Sequence, residues 1–575
     1  MASRLFARSA LRRPLLGAAL TASVFAGSRL HADAQPVSPS EPLSSLVRAY
    51  VVYTLCSFPV IVDSSPKILS YLTSVPGLRT LTEGIVRVTF FDQFVGGDTA
   101  EGCIPLLRNL RARNTGALFA YSVEVDENAA MGADGAADLS GPSPHAQIVN
   151  EMVHSIDVAA DFEDALPSDA FVQGSKPAPT SRKTWVAVKL TALLPDAHAL
   201  HRLSSHILAA RKTYRDSVKP KLAEVEFPGA PHDNDLDAVL GKDAVIKGKE
   251  GAIPAKLPAP LTQADALALA QLYSDLCRIC ARAQERGVRI IIDAEYSWYE
   301  PAIDAFTHAL MRRVSLRPSD SCPFSDATKV QPLIYGTYQA YLRRTPAHLA
   351  RAAADAAAGG YSLGVKLVRG AYHPFETGAW QAARTALADI KDPELAKLAR
   401  ISLVPGAPHP PVWTEKPETD ASYDRCAETL VGWIAQDVKN AQGKSAKGKP
   451  VQPRIGVLFG THNWASCAGI LGSVEKAGLG KRESPDGPLV IPPEVTRRLT
   501  IGQLYGMSDD LTASVVGRVK SAEPFVIKYV PYGALKEVLP YLGRRAIENK
   551  SMLFGQGGAA HERQRAWSEF WARVW

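Results

Sequence analysis

Short apolar runs recur from Gly116 onward, separated by helical patterns or long polar loops. Each run has six to eight residues and is rich in Val, Ile, Leu and aromatic side chains, which is typical of buried parallel strands. Eight strands alternating with helices favour an α/β fold, a (βα)8 TIM barrel, over an open sheet. The predicted strands are Leu118–Val125, Trp185–Leu190, Val288–Asp293, Pro332–Thr337, Leu363–Val368, Ile455–Gly460, Leu499–Leu504 and Pro524–Val530.

Helical spacing precedes the strands and predicts an N-terminal helical region over residues 43–113, with the barrel at 114–555. The cleanest apolar run, Ala49–Val62, has 14 residues and contains Pro59, so it is too short to cross a bilayer core of ~30 Å. We therefore expect a packed helix or an interfacial segment there. Surface insertions rich in Gly, Pro, Ala and Lys, and a C-terminal tail, are predicted near 128–144, 218–260, 441–453 and at 556–575.

The end of the last predicted strand leads through a turn at Pro531–Gly533 into a helix, Ala534–Asn549, that we expect to kink or restart at Pro540. Four polar side chains recur on it at intervals of three and four residues: Tyr541, Arg544, Arg545 and Glu548. The i, i+4 spacing predicts that Arg544 pairs with Glu548, which leaves the neighbouring arginine for another anion. Adjacent guanidinium groups suit a carboxylate ligand, although a solvated charged helix face explains the same pattern.

Polar residues also follow five of the eight predicted strands, where the chemistry of a barrel is expected. One lysine after a strand is commonly a surface residue, whereas five such strand ends together predict a site. The sequence contains neither Gly-x-Gly-x-x-Gly nor the P-loop pattern, so a nucleotide cofactor needs another kind of cradle. The strand-end residues are Lys189, Asp293, Gln339, Lys366 with Arg369, and Thr461-His462-Asn463.

Composition narrows the class of protein. Hydrophobic residues make up 46% and charged residues 21%, as in a folded soluble protein. Residues 1–32 carry five arginines and no acidic residue, which predicts a mitochondrial transit peptide. Without those five charges the net charge of +7 falls to +2, so we infer no nucleic-acid partner.

The chain has seven cysteines in 575 residues. This number is small and odd, so a disulfide framework is not expected. Cys277 and Cys280 lie inside a predicted helix, Asp265–Arg286, with no second ligand pair at metal spacing. We interpret them as structural thiols, with redox or metal chemistry as the alternative, and predict no metal site.

The C-terminal pattern Tyr-x-Pro-x-Gly, at Tyr529–Gly533, and then Tyr-Leu-x-Arg-Arg-x-x-Glu-Asn, at Tyr541–Asn549, resembles the signature of the proline dehydrogenase family. The strand-end motifs follow in the family's order, and the resemblance covers about Phe91 to Phe554. It implies a distorted (βα)8 TIM barrel that holds FAD across its top and oxidises L-proline to 1-pyrroline-5-carboxylate, by hydride transfer from proline C5 to flavin N5. It also implies ubiquinone as electron acceptor, and a location at the matrix side of the inner mitochondrial membrane with peripheral membrane contact.

The resemblance implies a role for individual residues. Arg544, Arg545 and Lys189 would bind the substrate carboxylate, and Asp293 would anchor a polar network in the pocket. The residues expected to enclose the substrate ring are Tyr372, Tyr529, Tyr541 and Leu504. The residues expected to contact FAD are Gln339, Lys366, Val368, Arg369, Gly370, Thr461, His462, Asn463 and Glu548, with Thr414 and Lys416 at its phosphate or adenosine end.

Two positions depart from the family pattern. Bacterial members often have Arg-Leu-Val-Lys where this chain has Lys366-Leu-Val-Arg369, so an ammonium replaces a planar guanidinium near the flavin N5. They also carry an aromatic residue where this chain has His373, which leaves the adenine contact open.

Other functions remain open at this point. The nearest is a hydroxyproline dehydrogenase on the same fold. Relatives of that kind have a smaller residue at the position of Tyr529, so the tyrosine predicts a preference for proline. A different class of chemistry is an aldolase-like barrel with Lys189 as a Schiff-base nucleophile, and a third reading is a non-catalytic binding module.

Overall fold

The computed structural model describes residues 42–58, 77–122, 144–166, 182–217, 225–241, 260–315, 332–385, 407–442, 455–551 and 559–575, with a few isolated residues between 59 and 76 and between 386 and 406. The predicted transit peptide, nearly all of the insertions near 128–144 and 441–453, and much of 218–260 lie outside the described residues.

Eight parallel strands close into a barrel, which confirms the predicted fold class. Each barrel strand pairs with the next barrel strand along the chain, and the last barrel strand pairs with the first. The barrel strands are β1 (Thr115–Tyr121), β2 (Thr184–Val188), β3 (Ile290–Ile292), β4 (Ile334–Gln339), β5 (Leu363–Val368), β6 (Ile455–Gly460), β9 (Leu499–Leu504) and β11 (Val526–Tyr532). A small separate sheet contains β7 (Lys481–Arg482), β8 (Leu489–Val490) and β10 (Val519–Lys520).

Side chains alternate between the barrel interior and the surrounding helices, because successive residues of a strand point to opposite faces. Trp185 and Tyr335 lie 5.1 Å apart inside the barrel and fill it together with residues such as Leu458 and Ile527. Outward-facing residues join the larger core between strands and helices. Both faces of each strand are therefore apolar, which explains the near-continuous hydrophobic runs of the sequence.

The predicted strand bounds were right for β5, β6 and β9 and were displaced elsewhere. The predicted turn at Pro531–Gly533 was wrong in part, because β11 continues to Tyr532. Pro531 has no N–H, yet its carbonyl accepts a hydrogen bond from the Gly96 N–H at 2.8 Å, and the Tyr532 carbonyl accepts one from the Ser122 N–H at 2.9 Å. Proline removes one N–H donor from the strand, but its carbonyl still takes part in the hydrogen bonding.

Helices surround the barrel, and further helices precede its first strand and follow its last. Pro540 lies within one continuous helix, Leu535–Ser551, and the expected C-terminal tail contains a helix, Ala559–Val574. The α-helices of the described residues are Leu43–Cys56, Leu78–Val86, Asp92–Phe94, Ile104–Ala112, Pro144–Asp164, His198–Ser217, Asp237–Leu240, Gln263–Arg286, Glu300–Ser315, Thr345–Gly359, His373–Arg384, Lys416–Gln442, Trp464–Lys476, Pro493–Thr496, Asp509–Arg518, Leu535–Ser551 and Ala559–Val574.

The first of the two terminal helices, Leu43–Cys56, packs against both the last, Ala559–Val574, and the helix Leu535–Ser551, and all three contribute to one buried cluster. Tyr53 donates a hydrogen bond to the Gly506 carbonyl at 2.6 Å, and the Gln93 side chain donates to the same oxygen at 3.0 Å. This second core therefore supports both the loop after β9 and the helix with the paired arginines. In the ranges given above, no helix is long and apolar enough to cross a bilayer.

Cys280 is buried and Cys277 half-buried within the helix Gln263–Arg286, and burial raises the pKa of the Cys280 thiol. The described residues contain no cluster of three or more His, Cys, Asp or Glu side chains arranged to hold a metal ion.

Candidate active site

An ion pair that is mostly buried occupies the carboxyl ends of β3 and β5. The Lys366 ammonium donates to one oxygen of Asp293 at 2.5 Å, and the Tyr529 hydroxyl of β11 donates to the other at 3.0 Å. The same ammonium lies 5.3 Å from the centre of the Tyr529 ring. Three sequence-predicted residues from three separate strands thus meet at the barrel mouth.

Backbone register places the lysine over the packed barrel interior. Lys366 lies two residues after Gly364 on the same face of β5, and Gly364 pairs with Tyr335 of β4. A Cβ on Gly364 would lie 2.8 Å from the Tyr335 ring and 2.2 Å from the Ile334 carbonyl oxygen. Glycine is needed here because the large interior ring leaves no room for a side chain.

The paired arginines point to different partners. Arg544 donates to the Tyr372 hydroxyl at 3.0 Å, and Arg545 binds both carboxylate oxygens of Glu548 at 2.6 Å. The predicted Arg544–Glu548 pair was therefore wrong. Residues at i+3 and i+4 are equally near on a helix, and Arg545, which is 4% exposed, lies on the buried side over the Tyr541 ring at 4.9 Å.

Tyr372 also belongs to an aromatic wall. Its ring centre is 4.3 Å from that of Tyr296, which in turn stacks on Trp298 at 4.5 Å. Tyr296 was not predicted from the sequence, although it lies only three residues after the predicted Asp293. Its contact with Tyr372 exists only because β3 and β5 end at the same face of the barrel.

His462 follows β6 and binds the backbone of the predicted Leu504. Its Nε2 accepts a hydrogen bond from the Leu504 N–H at 3.0 Å, which leaves the proton on Nδ1. Burial, with the nearby Lys528 and Arg545 charges, lowers the pKa of His462 to about 3. The ring is therefore neutral at physiological pH, and its buried Nδ1 has no hydrogen-bond partner among the described residues.

Arg369 lies in a second polar group on the β5–β6 side of the barrel. It donates to Asp420 at 2.6 Å and to the Thr461 hydroxyl at 2.9 Å, and stacks over the Tyr423 ring at 4.3 Å. Lys416 binds the other oxygen of Asp420 at 2.5 Å. Three predicted cofactor residues thus lie together: the Asp420 carboxylate joins Arg369 to Lys416, and Arg369 in turn binds Thr461.

The remaining predicted residues have local contacts. Gln339 donates to the Glu295 carbonyl at 3.0 Å, and Lys189 follows β2 near the Glu295 side chain. Asn463 caps the helix Trp464–Lys476 by accepting the Ser466 N–H at 3.1 Å. Thr414 lies near Glu418, and Val368 and Gly370 stand at the end of β5.

A closed parallel barrel with titratable side chains gathered at the carboxyl ends of its strands defines a (βα)8-barrel enzyme. The family model described as "Proline dehydrogenase" matches residues 141–388 and 400–554. The chain belongs to the proline dehydrogenase family and is an oxidoreductase.

The chain is similar to human "Proline dehydrogenase 1, mitochondrial", with 25% identity over 94% of this chain and 89% of the relative. It is equally similar to rat "Hydroxyproline dehydrogenase", with 26% identity over 92% and 91%. Among solved structures, proline utilization A from Bdellovibrio bacteriovorus matches with a TM-score of 0.49 and 18% identity, over 88% of this chain and 36% of that one.

We predict that Asp293→Asn lowers the free energy of unfolding by ~3 kcal/mol, because it leaves the Lys366 ammonium buried without its counter-charge. Adding Lys366→Met should restore most of the loss, since an apolar side chain can replace a buried pair. Chemical denaturation of the two single variants and the double variant measures this.

Glu83→Gln is the matched control, because it removes an ion pair with Arg79 in which both side chains are exposed. We expect almost no change there. Additive losses in the Asp293 and Lys366 double variant would contradict the coupling.

Proposed function

We propose that the protein oxidises L-proline to 1-pyrroline-5-carboxylate with FAD as cofactor, the first step of proline catabolism. The observation that carries the proposal is the joint presence, in a member of this family, of adjacent Arg544 and Arg545 and of the Asp293–Lys366–Tyr529 group at the barrel mouth. Family membership as an oxidoreductase favours this reading over the aldolase-like barrel and the binding module.

The substrate carboxylate would bind Arg544, Arg545 and Lys189. Charge-assisted hydrogen bonds of this kind fix orientation as well as affinity. Tyr372 orients Arg544 through a hydroxyl, a contact that directs the guanidinium without neutralising it. Tyr529, Tyr541 and Leu504 would complete the enclosure with Tyr372 and exclude water around the substrate ring, and fixed positioning of this kind raises the reaction rate.

The residues fit a large polar cofactor. Buried donor atoms of His462, Trp413 and Trp464 have no hydrogen-bond partner among the described residues, as expected for groups that bind a ligand. When bound, FAD supplies the acceptor of the hydride from proline C5, at its N5 atom. The residues proposed to hold it are Gln339, Lys366, Val368, Arg369, Gly370, Thr414, Lys416, Thr461, His462, Asn463 and Glu548.

Hydroxyproline is the second candidate substrate, because the similarity to a hydroxyproline dehydrogenase equals that to a proline dehydrogenase. Tyr529 favours proline. Its hydroxyl is fixed by Asp293, and its ring packs beside the Lys366 ammonium, so the ring has little freedom to move away from an added hydroxyl group.

We place the reaction in the mitochondrion, at the matrix side of the inner membrane, with ubiquinone as the electron acceptor. The name of the human relative supports the mitochondrial assignment. A membrane-soluble acceptor requires the enzyme to reach the bilayer, and the exposed apolar side chains support such contact.

Exposed large hydrophobic side chains are concentrated in two segments of the described chain. Of 15 such residues, 13 lie within 43–88 or 567–575, and the other two are Leu267 and Ile547. We propose that these 13 side chains form one surface, which we call the terminal apolar face. They are Leu43, Val47, Val51, Phe58, Tyr71, Leu78, Leu81, Ile85, Val88, Trp567, Trp571, Val574 and Trp575.

Contacts and charge favour a lipid surface as the occupant of this face. Tyr50 packs on Trp567 at 5.0 Å, so the two terminal helices form one surface. Its exposed acids are neutralised, since Glu83 pairs with Arg79 and Glu569 with Arg573. Tryptophan side chains on the apolar face of an amphipathic helix are typical of segments that lie in the interface of a membrane.

Anaerobic titration with proline tests the proposed reaction. We expect purified protein to be yellow, proline to bleach the flavin absorption, and a quinone analogue to restore it. Protein without a flavin band, or a band that proline leaves unchanged, would refute the assignment.

We predict that Arg544→Met and Arg545→Met each raise the KM for proline by one to two decades, because a lost charge-assisted contact costs ~1.5–3 kcal/mol. Most of the flavin should remain bound. Steady-state kinetics normalised to flavin content measure the effect, and unchanged KM values in both variants would exclude the carboxylate role.

We predict a preference for proline over hydroxyproline in the wild type, and a smaller preference in Tyr529→Ser. Steric rejection in a packed pocket is worth ~1–3 kcal/mol. The ratio of kcat/KM values for the two substrates is the measurement. Equal values in the wild type, or a preference for hydroxyproline, would defeat the proline assignment but not the flavin.

We predict that Trp571→Ser with Trp575→Ser weakens binding to phosphatidylcholine vesicles containing cardiolipin by about tenfold per tryptophan, or ~1.4 kcal/mol each. Co-sedimentation measures it, and Leu267→Ser is the control because Leu267 is 57% exposed outside the face. Equal binding by all variants would contradict the assignment. A wild-type protein that is a dimer, and that these substitutions convert to a monomer, would also contradict the assignment, because a second copy of the chain would then cover the face.

A further inference from the structure

Three buried carboxylates hold the loop that follows β3. Glu376 accepts the Ser297 N–H at 2.7 Å and its hydroxyl at 2.5 Å. Glu300 accepts the Glu295 N–H at 2.8 Å, and Glu295 accepts the Thr191 N–H at 3.1 Å. Burying a carboxylate costs free energy unless it is hydrogen-bonded. Three buried carboxylates bonded to one loop therefore indicate that the loop is held in a defined conformation.

Glu376 is the member of this set that comes from another strand end. It lies on the helix His373–Arg384, four residues after Tyr372, and is 1% exposed. Its bonds to Ser297 therefore join the loop after β5 to the loop after β3. Burial raises the pKa of Glu376 to about 7.

The joined loops carry the two rings that lead to the substrate site. Tyr296, next to Ser297, has its ring centre 4.3 Å from that of Tyr372. Tyr372 in turn accepts the hydrogen bond from Arg544. A continuous series of contacts thus runs from a buried carboxylate, through two tyrosines, to a guanidinium on the last barrel helix.

We propose that Glu376 is a positioning residue for substrate binding, which fixes Tyr296 and Tyr372 so that Arg544 is held where the substrate carboxylate binds. This deepens the proposed function and rests on the role of Arg544 in it. Glu376 acts through Ser297 and the aromatic rings and does not itself touch the substrate.

The role depends on hydrogen-bond geometry rather than on charge. A glutamine at position 376 keeps one oxygen to accept the Ser297 N–H, and its amide can donate to the Ser297 oxygen. An alanine loses both contacts and leaves a buried N–H without a partner. The glutamine variant should therefore behave like the wild type, and the alanine variant should not.

Kinetics normalised to flavin content test the proposal with Glu376→Ala, Glu376→Gln and Ser297→Ala. We expect Glu376→Ala to raise the KM for proline about tenfold and to change kcat less than about threefold, as for lost ground-state binding. Ser297→Ala, which removes only the hydroxyl contact, should raise KM by a smaller factor. It also provides the test if Glu376→Ala does not fold.

Combination with Arg544→Met separates this idea from the proposed function. If Glu376 acts through Arg544, the double variant should bind proline no more weakly than Arg544→Met alone. Additive losses, or an unchanged KM in Glu376→Ala and Ser297→Ala, would overturn the positioning role. An unchanged KM in Arg544→Met would instead overturn the carboxylate-binding role itself.

Glu523→Ala is the matched control for a merely structural effect. Glu523 is 5% exposed and pairs with Arg497 at 2.9 Å, near the amino-terminal end of the barrel. We expect it to lower thermal stability without changing the KM for proline. A rise in KM equal to that of Glu376→Ala would show a general loss of stability and overturn the proposal.

Discussion

Closure of the barrel between β1 and β11 is the constraint on which the site depends. Seven residue pairs join the two strands in register, from Thr115 with Val526 to Tyr121 with Tyr532. Because β11 is the last strand, closure brings a late part of the chain beside the ends of early strands. Tyr529 can reach Asp293 across 236 residues only when the sheet is closed.

Barrel closure and the buried cluster formed with the terminal helices together fix the position of the helix that follows β11. Val538, Tyr541 and Leu542 face a cluster that also contains Tyr53 of the first described helix and Ala566 of the last. The same helix presents Arg544 to Tyr372. The terminal helices therefore have two roles, since their buried faces support the arginine helix while their outer faces remain apolar and exposed.

The spacing and composition of apolar residues in the sequence predicted the strands well, because a strand that is buried on both faces gives a continuous apolar run such as Leu363–Val368. They failed where backbone contacts from elsewhere decide, as at Pro531, whose carbonyl is used by Gly96. Helical spacing placed Arg544, Arg545 and Glu548 on one side but could not select the pair, because i+3 and i+4 neighbours are equally close. Tyr296 and Glu376 carried no local signal, since their contacts join loops about 80 residues apart.

Ion pairs and charged hydrogen bonds fix the conformation of the loops at the carboxyl ends of the strands. Lys366 is balanced by Asp293, Arg545 by Glu548 and Lys528 by Asp509, so these three cations are held in ion pairs. In the loop after β3, Glu295, Glu300 and Glu376 each accept a hydrogen bond from a backbone N–H group in addition to their side-chain partners. Backbone donors cannot move without moving the chain itself. An acid bonded to them therefore fixes the loop more firmly than an ion pair between two flexible side chains, and the aromatic rings on that loop are held in place with it.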